Sequence, residues 1–124
     1  MKIKSFTELT VWQRAHELAL LVYQLTAKFP RSEMFGMVSQ LRRASASVAA
    51  NIAQGFGRRT TGELLRSLQI AAGEMEETRC FTILSRDLGY VTAPDFAKAW
   101  ALCDSVGQLI SAPGRSLKRR REIG

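Results

Sequence analysis

Between Met34 and Gly62 the chain has no aspartate or glutamate, yet it carries Arg42, Arg43, Arg58 and Arg59. A guanidinium is planar, permanently charged and forked, so it grips phosphate oxygens two at a time. The second pair sits in Gly55-Phe56-Gly57-Arg58-Arg59-Thr60-Thr61, just ahead of a predicted helix. The unbonded amides of a helix start, the helix dipole, the hydroxyls and the arginines together suit an anion. The stretch is not one of the common nucleotide loops. No Gly-Lys-Ser/Thr follows a strand, and Thr60 stands where a Gly-x-Gly-x-x-Gly pattern needs its last glycine. A third basic run, Lys118-Arg119-Arg120-Arg121, lies near the end of the chain. Each set also has a plainer reading. Arg42 and Arg43 can pair with acids of the third helix such as Glu76 or Glu77, within or between subunits. Arg58 and Arg59 can be a solvated loop, and the terminal run a solubilising tail.

Other chemistry finds little material. His16 is the single histidine, which leaves no set for imidazole catalysis or a His-ligated metal. Cys80 and Cys103 are too few for a disulfide framework or a zinc site and read as small buried hydrophobes in a reducing cytoplasm. Glu74, Glu76 and Glu77 form an acidic cluster without histidine, read as a solvated face or as ion-pair partners. Gln40 and Asn51 read as hydrogen-bonding residues of the second helix. No catalytic residue, metal or cofactor is therefore expected, and the chain is not expected to be an enzyme.

The composition agrees with a binding protein. The 124 residues are 46% hydrophobic and 23% charged, with a net charge of +7, which makes polyanions the first class of partner to consider. The excess is uneven, since the last ten residues hold five basic residues and one acidic one. No apolar run approaches the roughly 18–20 residues of a membrane span. The start, Met1-Lys2-Ile3-Lys4-Ser5, lacks the apolar stretch of a secretory signal, so the expected location is cytoplasmic.

The elements that must hold these residues follow from the spacing of apolar positions. Val11, Ala15, Leu18, Val22, Leu25 and Phe29 alternate by four and three, the stripe of a bundle helix. Met34, Val38, Leu41, Ser45, Val48 and Ile52 repeat it, and Phe96, Ala99, Cys103, Val106 and Ile110 give a last one. Leu64, Leu68, Ala71, Met75, Thr78, Phe81, Ser85 and Leu88 mark the third helix. Thr7, Ser32, Thr60 and Thr92 offer helix-starting hydroxyls, and Thr60-x-x-Glu63 has the form of a capping box. Pro30, Gly55 with Gly57, Gly89, and Pro113-Gly114 offer stops. Helices are thus predicted over about 8–29, 33–54, 61–88 and 93–111 within one domain, 1–114, followed by a basic, flexible tail at 115–124. Short connections make consecutive helices antiparallel. The predicted fold is all-α: an antiparallel up-down-up-down four-helix bundle. Leu18–Tyr23 is apolar all round the first helix, more than a monomer's surface helix needs. Trp12, His16, Leu20 and Tyr23 are assigned to contact with another subunit, which predicts a homo-oligomer.

A set of short motifs then becomes recognisable in order. They are Val11-Trp12-Gln13-x-Ala15, Phe29-Pro30-x-x-Glu33-x-x-Gly36, Gln40-Leu41-Arg42-Arg43-Ala44, Asn51-Ile52-Ala53-x-Gly55, Gly57-Arg58, Leu68-x-Ile70-Ala71-x-Gly73 and Leu88-Gly89-Tyr90. Across about residues 6–110 this resembles the bacterial four-helix-bundle proteins also called the 23S rRNA intervening-sequence protein family. The resemblance implies a ring-forming oligomer, a homopentamer, with no enzymatic activity established for the family. It also implies a more distant similarity to the accessory protein of diversity-generating retroelements, which binds nucleic acid and a reverse transcriptase. The family name refers to insertions in ribosomal RNA genes and not to a mechanism. Two positions depart from the usual pattern: Gln54 stands where the family has glutamate, and Glu74 where it often has serine.

Two functions follow as expectations. The first is an oligomeric protein that binds structured RNA or DNA backbone, with modest specificity, through Arg42, Arg43, Arg58, Arg59 and the tail. The second is an interaction scaffold that docks on a protein partner and has no direct role on nucleic acid.

Overall fold

Four amphipathic stripes on one short chain can be buried together only by packing the helices side by side, and that is what the chain does. A computed structural model describes residues 3–123 by backbone and residues 3–112 by side-chain surroundings. A 3-10 turn at Phe6–Glu8 leads into α1 (Thr10–Thr26), and a second at Arg31–Glu33 precedes α2 (Met37–Phe56). Then come α3 (Thr61–Asp87) and α4 (Ala93–Ile123). Each helix packs on its neighbour in the chain, and α4 closes the square against α1. The architecture is an all-α, four-helix bundle in up-down order.

The predicted stripes form the core. Ala15, Leu18, Val48, Ile52, Ala71, Met75, Cys103 and Val106 have almost no exposure. Small residues at Ala44, Ser45, Ala49 and Gly55 let α3 approach α2 closely. A methyl group on Gly55 would stand 3.1 Å from both Leu64 Cδ1 and Ser67 Cβ. Across α3 and α4, Arg79 bonds Asp104 at 3.0 Å, pairs with Glu76 at 3.4 Å, and lies over the Trp100 ring.

Two predicted helix starts are present. Thr60 Oγ1 accepts from the Glu63 amide, and Thr92 Oγ1 accepts from the Asp95 amide. Three boundaries differ. Thr7 does not cap α1. Ser5 instead caps the 3-10 turn, with the Glu8 carboxylate reaching back to its amide, and α1 begins after Leu9. Ser32 does not start α2. Residues 31–33 form the 3-10 turn, α2 starts four residues later than predicted, and Met34 is exposed instead of buried. The reason is Glu33, whose carboxylate Oε1 accepts from the Met37 amide and so marks the helix start itself. Finally, α4 continues through Pro113 and Gly114 to Ile123, where a stop and a flexible tail are predicted. Proline removes one helical hydrogen bond and crowds the preceding turn, which costs about 3 kcal/mol but does not forbid the geometry.

The α3 end does stop at its glycine. Gly89 has a φ of +79°, the left-handed conformation that a side chain opposes. The Tyr90 amide reaches the Ser85 carbonyl and the Gly89 amide the Arg86 carbonyl, each at 2.9 Å. These bonds satisfy the last free carbonyls of the helix. Leu88 is consequently half-exposed and not part of the α3 stripe.

Candidate nucleic-acid interface

The four arginines of the acid-free stretch separate into two kinds. Arg42 turns back onto the end of α1: its Nε donates to Thr26 Oγ1 at 2.8 Å, its Nη2 to the Tyr23 carbonyl at 3.3 Å, and its guanidinium lies 4.5 Å from the Tyr23 ring centre. A cation at a helix C-terminus meets the negative end of the dipole and orphan carbonyls, so Arg42 serves as a cap. Arg43 reaches α3, where it pairs with Glu74 at 3.3 Å and with Glu77. The plainer sequence reading is therefore right about Glu77 for Arg43, while Glu76 is taken by Arg79 and Arg42 has no acidic partner among the described residues. Both side chains are spent on joining helices.

Arg58 and Arg59 differ. They lie in the exposed turn between α2 and α3, and among the described residues neither has an ion pair or side-chain hydrogen bond. Arg66, one turn into α3, is also exposed and unpaired, and it shares a shallow depression with Arg58, Gln54 and Glu63. Spacing on the α3 stripe did not single out Arg66. Arg58 lies outside any helix, so no helical spacing links the two in the sequence; the packing of α3 on α2 brings them together. At the α3 start, Thr60 Oγ1 takes the Glu63 amide and the Thr60 carbonyl takes the Leu64 amide. The Thr61 and Gly62 amides keep no acceptor within the described chain, so they remain available beside the arginines. Arg58, Arg59, Thr60 and Thr61 also line one side of a cleft of about 320 Å3 between the start of α1, the end of α2 and the start of α3.

Chain direction adds to this end of the bundle. From Ala93 α4 runs back along α1 and α3, so its C-terminal half leads toward the end that carries the α2–α3 turn. The surroundings of Lys118, Arg119, Arg120 and Arg121 lie outside the described residues.

The residues assigned to a subunit contact share one face of α1. Leu20 is 52% and Tyr23 47% exposed, large for apolar side chains in mid-helix. His16 is exposed and stacks on the half-buried Trp12 at 4.8 Å, and Phe6 meets the Trp12 ring edge-on. At the opposite end of the bundle the Tyr90 hydroxyl donates to Glu33 Oε2 at 2.9 Å, and its ring packs on Phe29. The bond to Glu33 raises the Tyr90 pKa above its ordinary value, with desolvation adding to it. Burial likewise pushes the Cys103 thiol up to about 11. Cys80 is exposed.

Residues 7–112 match the 23S rRNA-intervening sequence protein family. The chain belongs to this family. The motifs shared with the family fall into place as structure: Phe29, Glu33 and Tyr90 meet at one end, and Arg42 and Arg43 link three helices. Glu74, one of its two departures, supplies a partner to Arg43; Gln54, the other, puts an uncharged side chain beside Arg58 and Arg66. No curated protein matches the chain. A crystal structure of a protein of unknown function from the S23 ribosomal protein family of Bacteroides thetaiotaomicron is similar, with a TM-score of 0.77. The two are 20% identical, and the match covers 85% of this chain and 98% of the other. At that identity the similarity speaks for the fold. No helix among the described residues is long and apolar enough to cross a membrane.

Proposed function

We propose that this protein is a non-enzymatic, cytoplasmic homo-oligomer that binds the phosphate backbone of nucleic acid at the α2–α3 end of its bundle. The observation that carries the reading is that Arg58, Arg59 and Arg66, around the start of α3, have no ion pair among the described residues. Elsewhere in the bundle Arg14, Arg43, Arg79 and Arg86 have carboxylate partners. An exposed cation without a partner retains its full attraction for phosphate, whereas a paired one must first give up a contact. The direction of α4 supports a contribution from the basic run at 118–121 to the same end. The exposed Leu20 and Tyr23 support assembly through α1, and a ring of five subunits would repeat the basic end around its rim.

The deciding experiment is a titration of labelled hairpin RNA, single-stranded RNA and duplex DNA at about 50 mM salt, where backbone contacts are strong. Binding that weakens linearly in log–log form as salt rises is expected. Absence of binding to all three overturns the reading and leaves a protein-docking scaffold.

A further inference from the structure

Beside the unpaired arginines lies an apolar recess that phosphate binding alone does not use. Leu9 and Val11 at the start of α1, Ile52 and Phe56 at the end of α2, and Leu64 and Leu68 early in α3 enclose about 320 Å3. Clefts that hold small ligands span about 300–1,000 Å3, so this one suits a single ring system and not an extended molecule. Phe56 is 38% exposed, large for a phenylalanine. Gly55 sets the depth of the recess, because its missing side chain is what admits Leu64 at that distance.

The recess is apolar on one side only. Arg58, Arg59, Thr60 and Thr61 also line it, with guanidiniums that have no ion pair among the described residues and with the Thr61 and Gly62 amides close by. A ligand that satisfies both sides has a flat body with an anion attached within a few bonds. In nucleic acid that unit is an unstacked base with its own phosphates. A paired base inside a duplex offers neither face, since its neighbours cover both.

We infer that the recess receives one unpaired base from a single-stranded or bulged segment, with Phe56 and Leu64 against the base and Arg58 and Arg59 on the flanking phosphates. The base enters with its polar edge toward the threonine hydroxyls and the open side. This inference rests on the nucleic-acid reading above and adds to it a preference for strand state.

The test compares four RNAs by fluorescence anisotropy at one salt concentration: a perfect hairpin, the same hairpin with a bulged adenine, the hairpin with an abasic site at the bulge, and a single strand. Stacking of a base on an aromatic side chain gives about tenfold in affinity, within a wide range. The bulged hairpin and the single strand are expected to bind about tenfold tighter than the perfect and abasic hairpins. F56L keeps an apolar side chain but removes the ring, and should erase that preference with its salt dependence unchanged. A 2-aminopurine placed at the bulge should change its emission on binding to the wild type and not to F56L. Equal affinity for all four RNAs, with steep salt dependence, overturns the base pocket and leaves the backbone reading intact. No binding to any RNA overturns both. Decanoate that competes with the bulged hairpin no better than with the perfect one, while binding in the recess, assigns the cleft to an amphiphile and overturns the inference.

Discussion

Replacing Arg58 and Arg59 with glutamine removes two positive charges, and so does replacing Arg42 and Arg43. If affinity for nucleic acid follows net charge, the two double variants lose it equally, because each lowers the total of +7 by the same amount. The structure predicts inequality. Arg42 is held by Thr26 Oγ1 and the Tyr23 carbonyl, and Arg43 by Glu74 and Glu77, whereas Arg58 and Arg59 have no side-chain partner among the described residues. Each phosphate contact contributes about 0.9 to the slope of log affinity against log salt on duplex, or about 0.7 on single strands. Losing two contacts should flatten the slope by about 1.8 or 1.4 per engaged subunit. Over a fourfold change in salt those contacts account for about seven- to twelvefold in affinity. R58Q/R59Q should therefore bind weakly at low salt and show a flatter slope, with unchanged melting. R42Q/R43Q should keep the slope and instead lose stability by about 1–3 kcal/mol, because a helix cap and a bridge to α3 are broken. Anisotropy titrations at four or more salt concentrations, paired with urea melts, measure both quantities. Equal flattening in the two variants, or greater flattening in R42Q/R43Q, refutes the assignment of the arginines made from their contacts.

Three further outcomes follow from other contacts. L20E, on the exposed face of α1, should leave the fold intact and convert the proposed oligomer to a 13.8 kDa particle by light scattering; a wild type already at that mass defeats the assembly proposal. Y90F removes the hydroxyl bond to Glu33 and should lower stability, read as an earlier midpoint in chemical denaturation. The Cys103 thiol, raised to about 11 by burial, is an acid favoured neutral in the folded state. Its stabilising share is fully present below the unfolded value near 9 and is lost as pH rises through 11, by about 2 kcal/mol. Urea melts at pH 8 and pH 11 should show a smaller alkaline loss for C103A than for the wild type under reducing conditions.

The bundle was legible because its signals are local. A four–three repeat of apolar residues needs only one helix to be read, and Thr60 and Thr92 announce helix starts within three residues of themselves. What escaped depends on partners far along the chain. Arg42 looks like any basic residue until Thr26 and Tyr23, on another helix, are placed against it. Glu33 delays α2 because Tyr90, fifty-seven residues away, shares its carboxylate with the Met37 amide. The proposed site shows the same division. Arg58 and Arg59 were visible as a basic turn, but that they stay unpaired, and that Arg66 joins them beside a cleft, required the packing of α2 on α3. The exposed stripe of α1 was legible for the opposite reason, since an excess of apolar residues shows in the sequence whether or not a neighbour is known.

The tie between Tyr90 and Glu33 gives the molecule a mechanical direction. One end is stapled by a hydroxyl bond, an aromatic contact and a glycine-capped helix end, all spanning two loops. At the other end the α2–α3 turn itself is held by a single threonine cap and a few turn bonds. Local opening takes the least restrained path, so amide exchange should be fastest around residues 57–62 and slowest near the stapled end. A protein built in this way keeps its adaptable surface where its unpaired charges are, and can reshape that end around a ligand without loosening the rest of the bundle.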